Sequence, residues 1–329
     1  MKFGPVPLNA AQGAVLAHSV AVGRGRLRKG RVISQADVAA MQAAGLTEVV
    51  VATLDADDVA EDAAAATLAS AILGQTGGLT ATRPFTGRVN LISDGPGVAV
   101  LDVAALEAIN AVHPMITIAT VPPWQQMAKG GMVATIKMIS YAVPQEALNA
   151  AVNAAGAGAI HLAQPQVKTA SLIITEIPGG VGDKGRTAIA GRLEALQVDL
   201  TETVMIPHQT APLAEAVAQA RSDLVLVLTG SATSDIDDVA PAALRRAGGQ
   251  ITRFGMPVDP GNLLFLGDLA GRPVIGLPGC ARAPALNGAD WVLSRVACGI
   301  AVSSADIAGM GVGGLLKEIP TRPMPRRGS

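Results

Sequence analysis

Aromatic residues are nearly missing from this chain: two Trp, one Tyr and four Phe among 329 residues. A surface that stacks single-stranded nucleic acid needs more rings than that. A formal net charge of −1 argues against a generic polyanion binder as well. Cysteine is scarce, and Cys280 and Cys298 make neither a C-x-x-C pair nor a disulfide framework. No stretch approaches the ~18 uninterrupted apolar residues of a membrane span. The opening "MKFGPVPLNAAQGAVLAHSV" has one Lys and no long apolar run, unlike a signal peptide. The four histidines, His18, His113, His161 and His208, show no H-x-x-x-H metal spacing. These absences predict a cytoplasmic protein with no membrane and no nucleic-acid partner.

What is present is apolar and small. Half the residues are apolar and 16% are charged, so a sizeable core is expected and bulk disorder is not. The length fits two or three domains. In the first block, 1–75, Ser34 and Asp37 form an approximate capping box, and Gly45 stands where that helix should stop. "TEVVVATL" reads as a strand, and "DADDVAEDAAAATLASAILG" as an acidic-started helix ended by Gly74. "GQTGGLTATRPFTG", 74–87, reads as a linker. Across 76–168 the pattern is that of an α+β module. It includes a long strand "MVATIKMISYAV" and a helix with Pro144 in its first turn.

The third block, 169–300, alternates strand and helix regularly: "SLIITEI", "GRTAIAGRLEAL", "VDLTETVMI", "TAPLAEAVAQARS", "DLVLVLT", "APAALRRAG". This predicts an α/β domain with a doubly wound, mainly parallel sheet, helices on both faces, and smaller α+β domains ahead of it. "LLFLGDLAGRPVIGL" reads as a hairpin at its edge and "NGADWVLSRVACG" as a closing helix. Residues 301–329 read as a tail or linker.

Ligands of such sheets bind beyond the carboxyl ends of the strands, and two loops compete there. "EIPGGVGDKGRTAIAG" contains G-x-G-x-x-G at Gly180, Gly182 and Gly185, with Glu202 placed roughly where a ribose-binding acid belongs. That supports an NAD(P)-binding oxidoreductase as a distant alternative. The extra Ile177-Pro178-Gly179 makes the turn longer than a dinucleotide loop needs. Lys184 and Arg186 offer a different anion-binding use. The second loop is "LVLVLTGSATSDIDDVAPAAL", where small residues suited to an anion precede three aspartates that are not. Asp238 or Asp237 can cap the next helix, with Pro241 in its first turn. Capping does not need three carboxylates, so Asp238 is a candidate for metal or catalytic chemistry as well. Asp235 and Asp237 read as solvated.

The same stretch resembles the signature of the molybdenum-cofactor biosynthesis domain of molybdopterin adenylyltransferases and molybdotransferases. Thr229, Gly230, Ser231, Ala232 and Thr233 occupy its [ST]-G-G-x-[SG] region, Asp238 its aspartate, and "VAP" follows in register. "MPVDPGNLLFLGDLAGRPVIGLPGCARAP" resembles the molybdotransferase stretch P-G-K-P followed by G-[GR]-x-P-V-x-G-L-P-G-N-P. It matches at Pro260 and Gly261, at Gly271 to Pro273, and at Gly276 to Gly279. "LRKGRVISQADVAAMQAAGLTEVVV" resembles a further molybdotransferase phrase, and the middle block resembles proteins described as molybdopterin-binding.

The resemblance implies a molybdopterin or molybdenum-cofactor ligand, with Mg2+ or molybdate as a further component. It implies that 229–233 hold the pterin or its phosphate, with Pro260, Gly261, Asn262, Pro278, Gly279 and Cys280 completing the site. Asp238 would be catalytic and at the metal end. Four departures stand out: Ser231 for the second glycine, Thr175-Glu176-Ile177-Pro178 for T-G-D-E-[LI], Asn262 for the lysine, and Cys280 for the asparagine. Arg282, Lys184 and Arg186 are the cations that can compensate. The expected role is therefore a molybdotransferase-like or carrier protein, a homo-oligomer. The alternative is the pterin-binding half of a system with a separate or fused nucleotidyltransferase, with a molybdoenzyme as another partner.

Overall fold

A computed structural model describes residues 1–259 and 261–316. The chain forms two compact units, one of residues 1–94, 99–123 and 129–162, the other of 95–98, 124–128 and 163 onward. A division near residue 75 falls inside the first.

The first unit is built from short antiparallel sheets. Lys2–Pro7 and Val15–Leu16 flank Glu48–Thr53. The helix Gln35–Ala43 carries the capping box read from the sequence: Ser34 Oγ accepts the Asp37 amide, and the Asp37 carboxylate accepts the Ser34 amide. Leu16, Ile33, Met41 and Val51 close the core beneath it. A second, four-stranded sheet runs in the order Ile116–Thr120, Met132–Met138, Arg88–Ser93, Leu79–Ala81.

The last of these strands lies in the stretch read as a linker. Leu79 is buried and Thr80 donates to Asp94, so one apolar and one β-branched side chain outweigh the surrounding glycines. The long strand expected over 132–143 breaks at 139–141 and resumes as Ala142–Pro144. Pro144 thus ends a strand and caps the helix Gln145–Ala154 rather than opening it.

The second unit carries the doubly wound sheet. Its elements are β1 (Thr169–Glu176), α1 (Arg186–Glu194), β2 (Asp199–Pro207), α2 (Thr210–Gln219), β3 (Leu224–Leu228), α3 (Val239–Arg246), β4 (Gln250–Met256), β5 (Asn262–Leu269), β6 (Arg272–Leu277), α4 (Gly288–Ala297) and α5 (Ser304–Gly309). The strand order is β2-β1-β3-β6-β5-β4, with the first four parallel and β5 antiparallel to both β6 and β4.

The run "LVLVL" shows why β3 lies at the centre. Leu224, Leu226 and Leu228 point to the face covered by α1, α4 and α5, and Val225 and Val227 to the face covered by α2 and α3. All five are buried, which suits a strand covered on both sides. Each such side chain contributes about 1.5–3 kcal/mol by leaving water.

Two expectations change here. The β5–β6 hairpin is not the edge, because β4, a strand not read from the sequence, pairs outside it. The region read as tail from 301 begins with α5. Its capping box of Ser303 and Asp306 starts the helix, and Ile307 and Met310 enter the core. Residues 317–329 of that expected tail lie outside the described residues.

Candidate functional site

The chain leaves β1 towards β2 on one side and returns across it to β3 on the other. β1 and β3 are neighbours, so the crevice between their carboxyl ends is the switch point where such sheets bind ligands. Three loops meet there: 177–185 after β1, 229–238 after β3, and 278–285 after β6. The start of β5 joins them, since it runs antiparallel to β6 and brings Gly261 and Asn262 to the same end. Pro260, expected in the site, lies outside the described residues.

The β3 loop turns sharply onto β1. A Cβ on Gly230 would stand 2.6 Å from the Thr175 carbonyl oxygen, so only glycine fits. The Gly230 amide donates to Thr175 Oγ1 at 3.0 Å, and Thr175 Oγ1 lies 2.8 Å from Nδ1 of His208, just beyond β2. One buried hydroxyl thus joins the ends of three strands. Past Gly230, the amides of Ser231, Ala232 and Thr233 have no protein acceptor among the described residues. Ser231 and Ala232 are exposed and Thr233 is buried, with its hydroxyl 3.4 Å from that of Thr229. Consecutive free amides of this kind form a cradle for an anion.

Positive charge comes from Arg282. Its guanidinium donates to the carbonyl oxygens of Lys184 and, at 2.7 Å, of Thr229, tying all three loops together. Among the described residues it has no carboxylate partner. Burial alone lowers its pKa from the usual guanidinium value. Gly185 is obligatory beneath it, because a Cβ there would stand 2.8 Å from Arg282 Cγ.

Arg282 is held in place by Arg192 of α1. That side chain pairs with Asp290 at 2.5 Å and donates to the carbonyls of Ala281, Ala283 and Ala285 at 2.8–3.0 Å. The sequence does not single out Arg192. A lone arginine on a helix gives no signal until the loop it holds is seen. Thr175 is visible there only as part of a departure, and His208 only as an unassigned histidine. The usable signal is their shared position at or just past strand ends.

Asn262 is buried. Its Oδ1 accepts the Leu264 amide at 3.1 Å, and its Nδ2 has no partner among the described residues. A buried amide donor left without an acceptor costs about 1–3 kcal/mol, which marks a donor awaiting one. Pro278 is buried, Gly279 is exposed, and Cys280 is half-buried on the short turn Gly279–Arg282. Cys298 is buried elsewhere, and burial pushes its thiol up to about 11. Lys184 and Arg186 are exposed at the start of α1.

The aspartates are largely spent on their own loop. Asp238 caps α3, accepting from Val239 N at 2.7 Å and Ser234 N at 2.9 Å. Asp237 pairs with Arg245 at 2.6 Å, and Asp235 accepts the Asp237 amide. No group of three or more His, Cys, Asp or Glu side chains placed to hold a metal occurs among the described residues.

The dinucleotide alternative fails on geometry. Glu202 pairs in register with Ser171 and hydrogen-bonds its hydroxyl at 2.9 Å. That lies five residues, or about 16 Å at ~3.3 Å per residue, before the carboxyl end of β1. A ribose-binding acid must stand at the glycine loop, and this one does not.

The crevice lies at the switch point of a doubly wound α/β sheet. Residues 169–295 match the family model described as "Probable molybdopterin binding domain", so the resemblance read from the two motifs is shown for that segment. The match supports a molybdopterin-binding or related biosynthetic role. Residues 5–53 match a domain of unknown function, DUF8806. No curated protein matches the chain. Among solved structures, the protein CinA of unknown function from Thermoplasma acidophilum is 16% identical. The match covers 35% of this chain and 90% of that one, with a TM-score of 0.29. The molybdopterin biosynthesis enzyme MoaB from Thermus thermophilus is also 16% identical, covering 39% and 89%, with a TM-score of 0.29. No helix among the described residues is long and apolar enough to cross a membrane.

Proposed function

We propose that the second unit binds molybdopterin, or its molybdenum-loaded form, and carries it during cofactor biosynthesis. The supporting observation is the guanidinium of Arg282, without a carboxylate partner, beside three successive free amides at the switch point. Cation and amides together favour a phosphate. The amides hold it at no cost in reorganisation, and the partly desolvated guanidinium strengthens the attraction. The unpartnered Nδ2 of Asn262 would donate to a neutral acceptor on the same ligand. Gly261, Pro278, Gly279 and Cys280 would line that side, with Lys184 and Arg186 adding positive charge at the mouth. When bound, molybdopterin would supply a dithiolene able to take molybdenum.

Carriage is favoured over insertion because both oxygens of Asp238 accept main-chain amides, leaving that carboxylate as a cap. Asp238 remains the residue to test for a metal-end role, with molybdate or Mg2+ as the species it would attend. A separate or fused nucleotidyltransferase, or a recipient molybdoenzyme, would be the partner of a carrier.

The experiment is to purify the chain, oxidise it under acid and measure released fluorescent pterin, with and without prior loading. The reading expects about one pterin per site, and no pterin from loaded or unloaded protein overturns it. Turnover with molybdate then separates the roles. A carrier yields no new active cofactor, whereas an insertase does and loses it in Asp238→Asn with binding retained.

A further inference from the structure

The charge of the chain is unevenly distributed. Residues 1–36 contain six Lys and Arg and not one Asp or Glu, so the remainder holds nineteen cations against twenty-six acids. Five of the six fall within eight residues, Arg24, Arg26, Arg28, Lys29 and Arg31. The hairpin that presents them pairs Val20–Val22 with Gly25–Leu27. Its pleat explains the sorting. Val20, Val22 and Leu27 pack on the core of the first unit, and Arg26 stands on the opposite face across from Ala21, both exposed. Arg24 and Arg28, two residues to either side, are also exposed.

Only Arg31 has a carboxylate within ion-pair distance among the described residues, Asp37 at 2.9 Å. Arg24, Arg26, Arg28 and Lys29 have none. Val32, next to Arg31 in the chain, is exposed at 61%. Nothing in the crevice chemistry of the second unit uses this surface.

We propose that this hairpin is a docking surface for an extended acidic segment of a partner protein. Arg24, Arg26 and Arg28 recur at every second residue, Arg26 on the strand, Arg24 in the turn before it and Arg28 just past its end. A partner segment with Asp or Glu at alternate positions, about 6.6 Å apart when extended, matches that spacing. Guanidinium groups match carboxylates through two parallel hydrogen bonds, which fixes register as well as attraction. Arginine is enriched at protein interfaces, and an exposed aliphatic neighbour such as Val32 suits one. A nucleic acid fits less well. Phe3 is the only Phe, Tyr or Trp in the first 36 residues, and base stacking needs several.

The test uses the full chain and three fluorescent probes: a nine-residue peptide alternating Glu and Thr, a peptide of the same composition with its glutamates contiguous, and a twelve-nucleotide oligouridylate. Fluorescence anisotropy is read at two salt concentrations. The alternating peptide should bind, weaken with salt, and lose at least tenfold affinity in Arg24→Gln/Arg26→Gln/Arg28→Gln. Lys129→Gln should bind as the parent does, and the triple variant should melt as the parent does. The proposal is overturned if no peptide binds, if both peptides bind equally, if the triple variant binds unchanged, or if the oligouridylate binds more tightly than the alternating peptide.

Discussion

The two ends of the six-stranded sheet are built from the same materials and finished differently. At the amino end, Asp223 accepts the amides of Lys168 and Thr169 and the Thr169 hydroxyl. Ser171 links Glu202 to Ser222, and Arg272 donates to the carbonyls of Val217 and Ala220, closing α2. At the carboxyl end, Arg282 also reaches two carbonyls, but they belong to two different loops, and free amides and the Asn262 amide lie at the same end. One arginine finishes a helix, and the other assembles a cavity mouth.

Size does not separate the two ends. A cavity of about 900 Å³ lies at the amino end, lined by Asp223, Asp268 and Arg272 among others. One of about 590 Å³ lies beside α1, lined by Gly185, Arg192 and Arg282 but by none of 229–233 and not by Asn262. In the larger, Asp223, Asp268 and Arg272 already serve the main chain, although Arg272 Nε is unpartnered among the described residues and exposed Arg221 also lines it. Successive free amides beside a guanidinium, rather than volume, mark the ligand end.

The comparison can be broken most severely at Arg192. Arg192→Ala leaves Asp290 with only the Asn287 amide of its capping box and frees the 278–285 loop. It should cost about 3–5 kcal/mol in chemical denaturation, together with ligand affinity; a loss below about 1 kcal/mol, the scale of one ordinary hydrogen bond, would remove Arg192 as the loop's anchor. Arg282→Gln and Arg272→Gln should then diverge. The first should lower ligand affinity more than tenfold. The second should lower stability by about 1.5–3 kcal/mol, the scale of a charged hydrogen bond, and leave affinity alone. Equal effects of the two on affinity would erase the distinction between the ends.

His208 sharpens the picture with a smaller effect. His208→Leu should cost about 1 kcal/mol and several-fold in affinity. In His208→Asn the side-chain oxygen takes the place of Nδ1 and should restore both. Failure of the Asn variant to outperform Leu would deny the Thr175 junction its role.

The smallest effect concerns acid. Main-chain and Thr169 hydrogen bonds hold the Asp223 carboxyl below its ordinary value of 3.8. A depressed carboxyl stabilises the fold above that value, and the contribution fades as pH falls through the lower folded pKa. Melting temperature should therefore fall below about pH 4, and Asp223→Asn should flatten that slope. An unchanged slope would place the acid sensitivity elsewhere.

Much of this was legible in the sequence. The strand–helix rhythm of 169–300 pointed to the parallel sheet, and the apolar run "LVLVL" fits a strand buried on both faces. The capping box at Ser34 and Asp37 was equally readable, being a local device. Loops 229–238 and 278–282 were found because small residues follow strands there in the pattern of a known family, and at Gly230 the Thr175 carbonyl gives the steric reason. Strand Leu79–Ala81 was missed since its glycine-rich flanks look like a linker until Arg88–Ser93 is beside it. Strand β4 was missed because an edge strand needs only half an apolar pattern. Long-range hydrogen bonds defeated the sequence most thoroughly. That Arg282 reaches Lys184 and Thr229, or that Arg192 holds 281–285, depends on backbone positions 53 to 98 residues away along the chain.

The most direct measurement is an equilibrium titration of the purified chain with molybdopterin, comparing the parent with Arg282→Gln and Arg272→Gln. The account predicts binding at one site, a loss exceeding tenfold in the Arg282 variant, and unchanged affinity in the Arg272 variant. Absence of binding to the parent, or parent-like binding by Arg282→Gln, would contradict it.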